Sequence, residues 1–577
     1  MILQALTAYY ETLLKNKEKT KVVGIGRSHV KVGYALDLAD NGRLKGIISL
    51  KQETVAGKKT VFLPSPREVP QLLTRTSGVA ANFLCDNSKY LLGIDANGSG
   101  SRIKDCFLAA KEKHLTILDG VHTRTAEAVK AFFKNWDPDR ARENQALKEQ
   151  WEGVTDGSNL IFMVDGLEAQ DDPEVMQAWD EELERRTGDS IGTCLVTGEK
   201  TEIARIHTML KGVQGAQSSG AALVSFNAPA FESYGKEQSF NAPVGAYAEF
   251  AYTTALNYLL SKRENKLQVA DTTVIFWAED GESAYQQAFS WSLDPAPDQE
   301  ETVRGILQNT VKGEMINFEG IRLDPKRHFY ILGLAPNAAR ISVRFFYQDE
   351  FGNILDHVKA HYERLRLIRP SYEKREYLGI YSLLQQTVNQ KSRDKKAIPN
   401  MAAAVLRAIL SGSRYPASLY TDTLIRIRAE QGEISWGRAS IIKAYLIKNY
   451  NWKEGETFVK LNENEMNEAY LLGRVFAVLE AVQEKANPGI NATIKDRYFN
   501  SACMTPGVVF PILLRLKNSH IRKISDEGSR IFFEKQLTEL LGKLDTFPHR
   551  LTLEEQGKFM LGYYHQVQKR FTKKEEQ

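Results

Sequence analysis

Two histidines, His357 and His361 in the stretch HVKAH, stand four residues apart, the spacing that sets two metal ligands on one helix face. A zinc protease needs a glutamate directly after the first histidine, and that position is Val358, so the pair reads as ordinary helix histidines with no metal. The run GAQSSGA, 215–221, has the glycine spacing of a phosphate-binding P-loop. Ala221 stands where that loop needs its lysine, and no Ser or Thr follows to hold magnesium. GIGRSH, 24–29, supplies two glycines of a dinucleotide fingerprint and puts His29 at the third. The four cysteines, Cys85, Cys106, Cys194 and Cys503, form no C-x-x-C pair, so a zinc ribbon, a redox motif, a disulfide framework and a base deaminase are all disfavoured. No cofactor is implied, and binding rather than catalysis becomes the expectation.

Two stretches have the chemistry of a binding surface. Residues 209–245, MLKGVQGAQSSGAALVSFNAPAFESYGKEQSFNAPVG, combine glycines with short polar side chains, lysines and aromatics. Lys211, Gln214, Gln217, Ser218, Ser219, Asn227, Tyr234, Lys236, Gln238 and Asn241 are the candidate nucleic-acid contacts, suited to phosphates, sugars and base edges. The same composition also fits a long surface loop of ordinary turn residues, although a structureless loop of this length is uncommon unless it has a function. In residues 74–95, Asn82, Asn87 and Lys89 precede an expected strand; the asparagines either read an adenine edge or close an Asx turn.

The elements that must carry these stretches are legible as patterns. VVGIG (22–26), GRLKGIISL (42–50), TVFLP (60–64) and KYLLGID (89–95) read as strands of a largely antiparallel sheet. Helical, acidic sequence from Ala126 to about Arg186 is interrupted by the strand-like NLIFMVDG (159–166). A helix is expected at AYAEFAYTTALNYLLSK, then strands at 272–280, 328–336 and 339–348, and essentially none after about 355. The expected class is α+β: a mixed, largely antiparallel sheet domain over 1–355, a basic helical region over 356–465, and a C-terminal four-helix bundle over 466–577.

With 577 residues, the chain is too long for one hydrophobic core, and 42% hydrophobic with 26% charged residues is ordinary globular usage. The net charge of +4 is too small to name a partner, but 361–450 hold sixteen basic and seven acidic side chains. That segregation makes Arg426 and Arg428 candidates for tracking phosphates. No apolar run is long enough to span a membrane and no signal peptide is seen, so a soluble, cytoplasmic protein without a membrane partner is expected.

The opening MILQALTAYY, CLVTGEKTEIARIH, ILGLAPNAARISVRFF and AYLLGRVFAVLEAVQEKANPGINATIKDRYFNSACMTPGVVFPILLRLK, with the two polar stretches, resemble the large subunit of the type I-C CRISPR surveillance complex, Cascade. The resemblance runs colinearly from residue 1 to about 570. It implies a subunit with no catalytic activity of its own that recognises the protospacer-adjacent motif in double-stranded DNA. It further implies help in unwinding and R-loop formation, stabilisation of the displaced strand and recruitment of a helicase-nuclease. The implied partners are guide CRISPR RNA, the Cascade backbone and guide-processing subunits, and a small subunit translated from an internal start. Met466, directly before AYLLGRVFAVLEAVQE, is the candidate start for such a 112-residue product; Met401 is a longer alternative. Two other classes remain open: a divalent-metal-dependent nuclease with dispersed acidic residues, and a structural assembly factor.

Overall fold

The computed structural model describes all residues except 57–58, 74–77, 97–99, 186–189, 311–313, 454–457 and 572–577. The chain divides into two compact units, one of Met1–Thr208 with Val224–Tyr258, the other of Met209–Leu223 with Leu259–Gln577.

The first unit is built on a seven-stranded mixed sheet. Its strands are β1 (Arg27–Leu38), β2 (Leu44–Ser49), β3 (Lys51–Ala56), β4 (Lys59–Pro70), β5 (Cys85–Asp86), β6 (Asn159–Val164) and β7 (Leu167–Glu168). The order is β3-β4-β1-β6-β5, with β2 on β1 and β7 on β6; β1 and β6 run parallel and the other pairs antiparallel. Helices Ser101–Ile117, Arg124–Asn135 and Pro173–Arg185 contribute to a core of Leu36, Phe83, Phe107, Phe132, Phe133, Phe162 and Trp179. Trp179 stacks on Phe83 with centroids 5.5 Å apart, and its Nε1 donates to the Gly26 carbonyl at 2.8 Å. That carbonyl lies in VVGIG, which is a turn leading into β1 rather than the expected strand.

KYLLGID is likewise not a strand. Asn87 Oδ1 accepts the Lys89 amide and starts the short helix Ser88–Leu91, so the Asx reading of this site holds over the strand reading. Beside it, His114 is fully buried. Its Nδ1 donates to the Ala110 carbonyl at 2.6 Å, and its Nε2 accepts the Leu84 amide at 2.9 Å. Both ring nitrogens are used by the neutral form, and burial pushes the imidazole down to about 3.

The second unit has a four-stranded antiparallel sheet whose strands lie side by side in chain order. With β8 (Ile191–Thr193) and β9 (Lys200–Glu202) forming a hairpin in the first unit, these strands are β10 (Lys266–Val269), β11 (Thr272–Ala278), β14 (His328–Asn337) and β15 (Arg340–Glu350). A hairpin of β12 (Ile316–Phe318) and β13 (Ile321–Leu323) lies between β11 and β14 in the chain. After Glu350 every described regular element is helical, as expected.

The domain limits expected at 355 and 465 do not interrupt the packing, because one apolar core runs from Val269 to Tyr564. Gly352 donates to the Pro325 carbonyl at 2.7 Å where β15 turns into the helix Phe351–Leu365. Tyr420 Oη donates to the Leu553 carbonyl at 2.8 Å, and Tyr564 Oη to the Ile368 carbonyl at 2.7 Å. Beyond residue 466 there are five described helices, because Ile494–Met504, with its Thr493–Asp496 capping box, adds one to the expected four.

Helices Glu468–Ala486 and Leu553–Lys569 cross at two glycines. A Cβ on Gly473 would lie 1.9 Å from the Phe559 carbonyl oxygen, and one on Gly562 would lie 2.1 Å from that of Tyr470. Gly473→Ala is expected to destabilise by about 1–3 kcal/mol, the usual cost of overpacking. Gly305, in the helix Glu300–Thr310, has nothing within 4 Å of its Cβ position, so Gly305→Ala should be neutral or stabilising by about 0.5–1 kcal/mol. Chemical denaturation of the two variants checks the contrast.

His114, His361 and His565 are all buried and pushed down to about 3, and His207 to about 4. Groups with depressed folded pKa values stabilise above the unfolded value near 6.5 and lose that contribution as pH falls towards the folded value. The thermal midpoint should therefore fall between about pH 6.5 and 4. His114→Gln, which keeps an acceptor for Leu84, should flatten that slope; an unchanged pH profile would count against His114 as a contributor.

Candidate nucleic-acid interface

The structure divides the polar stretch 209–245 between the two units, 209–223 in one and 224–245 in the other. In the second unit, Leu210 and Ala221 exchange backbone hydrogen bonds of 2.9 and 3.0 Å and pinch 211–220 into a closed loop. Ala222 continues as a bridge to Arg340 at the start of β15, and the Gln214 amide donates to Thr273 Oγ1 of β11 at 3.1 Å. Val213 is buried and anchors the loop, while Lys211, Gln214, Gln217, Ser218 and Ser219 are exposed. Gly220 has φ +109, and a Cβ there would meet Met209 Cβ at 2.8 Å; a side chain would block the pinch. The loop therefore presents short hydrogen-bonding groups outward on a backbone held at both ends by the sheet.

In the first unit the other half is braced from within. Ser233 to Lys236 form a tight turn, closed by the Lys236 amide on the Ser233 carbonyl at 3.0 Å. Asn241 Oδ1 accepts the Ser233 amide at 2.8 Å, and its Nδ2 donates to the carbonyls of Lys236 and Gln238 at 2.7 and 2.9 Å. Gln238 Oε1 accepts Arg205 Nε at 2.5 Å. Gln238 and Asn241 are thus scaffold, with their side chains committed to the protein. Tyr234 sits at the turn tip, 99% exposed and with φ +55, a left-handed conformation that is strained for an aromatic residue. Asn227 and Lys236 are exposed as well. The segment's base is held by Glu249, whose Oε1 accepts the Thr208 amide at 2.6 Å, and whose carboxyl burial raises above the usual range.

Asn82 is corrected from a base reader to a brace. It is 4% exposed, its Oδ1 accepts the Leu73 amide at 2.9 Å, and its own amide donates to Asp86 Oδ2 at 3.0 Å. Asn87 Oδ1 is occupied by its cap, whereas Lys89 is exposed, 4.0 Å from Asp95. Arg428 is also taken inward: its Nη2 donates to Gln556 Oε1, and its carbonyl accepts Asn500 Nδ2 at 3.1 Å. Its role is to tie the helix Ala417–Ala429 to its neighbours, so reversing its charge would disturb packing before it disturbed binding. Arg426, half-exposed, lines a cavity of about 320 Å³ with Lys396, Asp394 and Asp422.

Among the described residues, no three His, Cys, Asp or Glu side chains gather as a metal site, and no helix is long and apolar enough to cross a membrane. His357 Nδ1 is hydrogen-bonded to the Leu410 carbonyl and His361 Nδ1 to Tyr415 Oη, each at 2.7 Å. Gly188, Ser190 and Gly192 have nucleophile-elbow spacing that sequence reasoning missed; Ser190 stands just before β8 of a hairpin rather than at a strand-to-helix turn, and Gly188 lies outside the described residues. Met466 is 60% exposed, immediately before the helix Glu468–Ala486.

A family model for CRISPR-associated protein (Cas_Csd1) matches residues 6–571. None of the curated proteins compared with the chain matches it.

Bracing and presentation separate experimentally. Asn241→Ala removes three hydrogen bonds and should destabilise by about 1–3 kcal/mol. Tyr234→Ala, with an exposed and strained side chain, should change stability by less than about 0.5 kcal/mol. Urea denaturation of both variants reads the difference.

Proposed function

Because the chain belongs to the CRISPR-associated Csd1 family, the large-subunit family of type I-C Cascade, we propose that it is the non-catalytic reader of the protospacer-adjacent motif in double-stranded DNA. The observation that carries this reading is the loop 211–220, pinched between Leu210 and Ala221 and presenting Lys211, Gln214, Gln217, Ser218 and Ser219. Glutamine amides match the donor and acceptor pattern of a base edge, hydroxyls and lysine suit phosphate, and a loop held by the sheet needs little ordering on binding. Tyr234, at its separate turn, offers a face on which an unstacked base can rest, with Lys236 two residues on for the backbone.

In this division of labour, guide RNA pairs with the target strand, and the protein reads a short motif together with backbone shape. The chain helps open the duplex, holds the displaced strand, contacts the Cascade backbone and guide-processing subunits, and recruits the helicase-nuclease in the cytoplasm. Initiation at Met466 releases the C-terminal helices as a small subunit. That product must cover faces that the full chain packs against Tyr420, Ile442 and Ile368.

The test is target binding across a randomised motif library by the complex assembled with guide RNA. Alanine at the base-reading position among Gln214 and Gln217 should cost about 1–3 kcal/mol and relax one motif position. Lys211→Ala should weaken binding on all motifs alike. Equal affinity for every motif by the unmodified complex would overturn the reading.

A further inference from the structure

Of the sixteen basic side chains in 361–450, three line a cavity of about 700 Å³ from which Arg428 is absent. Arg364 from the helix Phe351–Leu365, Arg414 from the turn after the helix Pro399–Ser411, and Lys448 near the end of the helix Trp436–Tyr450 all line it. Ser413 and Asn451 add polar groups, and Glu363, which lies 4.0 Å from Lys359, is its single carboxylate. Among the described residues none of the three cations has an ion-pair partner.

One of them is held in place. Arg364 Nε donates to Tyr415 Oη at 3.3 Å, and that hydroxyl donates to Nδ1 of buried, neutral His361 at 2.7 Å. The Tyr415 backbone is pinned by Asn449, whose Oδ1 accepts its amide at 3.1 Å and whose Nδ2 donates to its carbonyl at 2.9 Å. The guanidinium is therefore oriented through Nε and by the Tyr415 ring, whose centroid lies 5.7 Å from Cζ, and its terminal nitrogens make no hydrogen bond or ion pair to protein among the described residues. Lys448 feels the crowding: burial first, then Arg364 and Arg414, hold its ammonium below the ordinary lysine range. Three like charges around one cavity repel, and an anion entering among them relieves that repulsion while taking forked guanidinium hydrogen bonds.

We propose that this cavity is a phosphodiester site, in which Arg364, Arg414 and Lys448 grip the backbone of a nucleic-acid strand. The volume exceeds that of a lone phosphate and admits the adjoining sugar. The site deepens the nucleic-acid-binding reading above and rests on it. It adds a sequence-independent grip in the helical region, separate from the residues proposed to read the motif.

The experiment measures affinity of the full chain for single-stranded DNA and single-stranded RNA of one sequence over a salt series. Arg414→Gln with Lys448→Gln should weaken binding about tenfold or more at low salt and flatten the salt slope by about 1 to 1.5, whereas Arg497→Gln with Lys535→Gln, two exposed cations elsewhere, should do neither. Arg414 is exposed, so Arg414→Gln alone carries half of the slope change without touching packing. Loss on DNA alone assigns the site to target DNA, loss on RNA alone to the guide, and loss on both to the shared phosphodiester. The proposal fails if the unmodified chain shows no salt-dependent affinity for either strand, or if the cavity variants lose no more than the control pair. Motif preference in the assembled complex is read independently, so failure here leaves the motif reading standing, and failure there leaves this one.

Discussion

The larger unit depends on a close crossing of two helices. Gly473 and Gly562 let Glu468–Ala486 and Leu553–Lys569 approach until each glycine faces a backbone carbonyl of the other helix. Any side chain at either position would force the pair apart. Around that axis the aromatic rings of Phe476, Phe499, Phe559 and Tyr563 cluster with centroids 5.4 to 6.1 Å apart, Phe499 edge to face with the other three and Phe476 tilted against Phe559 and Tyr563. Most of the polar groups admitted are paired, although Nε2 of buried His565 has no hydrogen-bond partner among the described residues. Glu480 accepts from Thr493 Oγ1 and Tyr563 Oη, and Arg474 Nε donates to Gln566. A core packed this densely transmits strain, so the outer helices that carry the basic cavity take their positions from the same crossing.

The smaller unit solves a different problem, that of holding a two-stranded contact, β5 with β6, at the end of its sheet. β5 is only Cys85–Asp86, too short to be stable by ladder hydrogen bonds alone. Its flanks are fixed instead by buried polar groups: Asn82 on Leu73, Asp86 on Asn82 and Asn87, and His114 on Leu84. Leu84, at φ +57, is strained, and the hydrogen bond of its amide to a neutral imidazole offsets part of that cost. Residues whose type suggests recognition are here used to keep a backbone in place.

The same distinction runs through the candidate interface. Asn241 has its hydrogen-bonding capacity taken up by the turn it supports and Gln238 Oε1 is taken by Arg205, while Tyr234 at the turn's tip is open to solvent. In the helical region Arg428 is consumed by packing, and Arg364, Arg414 and Lys448 are not. The side chains left open for recognition are therefore fewer than composition suggests, and two of them, Tyr234 and Arg364, rest on polar neighbours, Asn241 and Tyr415, that are themselves occupied.

By itself, the sequence determined the α+β class, the strands expected at 159–166, 272–280, 328–336 and 339–348, the helical remainder, and the family; the parallel pairing of β1 with β6 came only from the fold. Those features are written in local periodicity and in long colinear motifs, which need no knowledge of what lies opposite. Val22–Gly26 and Lys89–Asp95 were misread as strands because short apolar runs beside glycine have no period long enough to separate strand from turn; Trp179 and the Asn87 cap decide them. The apparent limits at 355 and 465 are changes of composition, and composition does not report that one core passes beneath both. Tertiary structure alone decided which polar residues are occupied. A side chain's partners, such as Gln556 for Arg428 or Leu73 for Asn82, come from distant positions in the chain, and only folding brings them within hydrogen-bond reach.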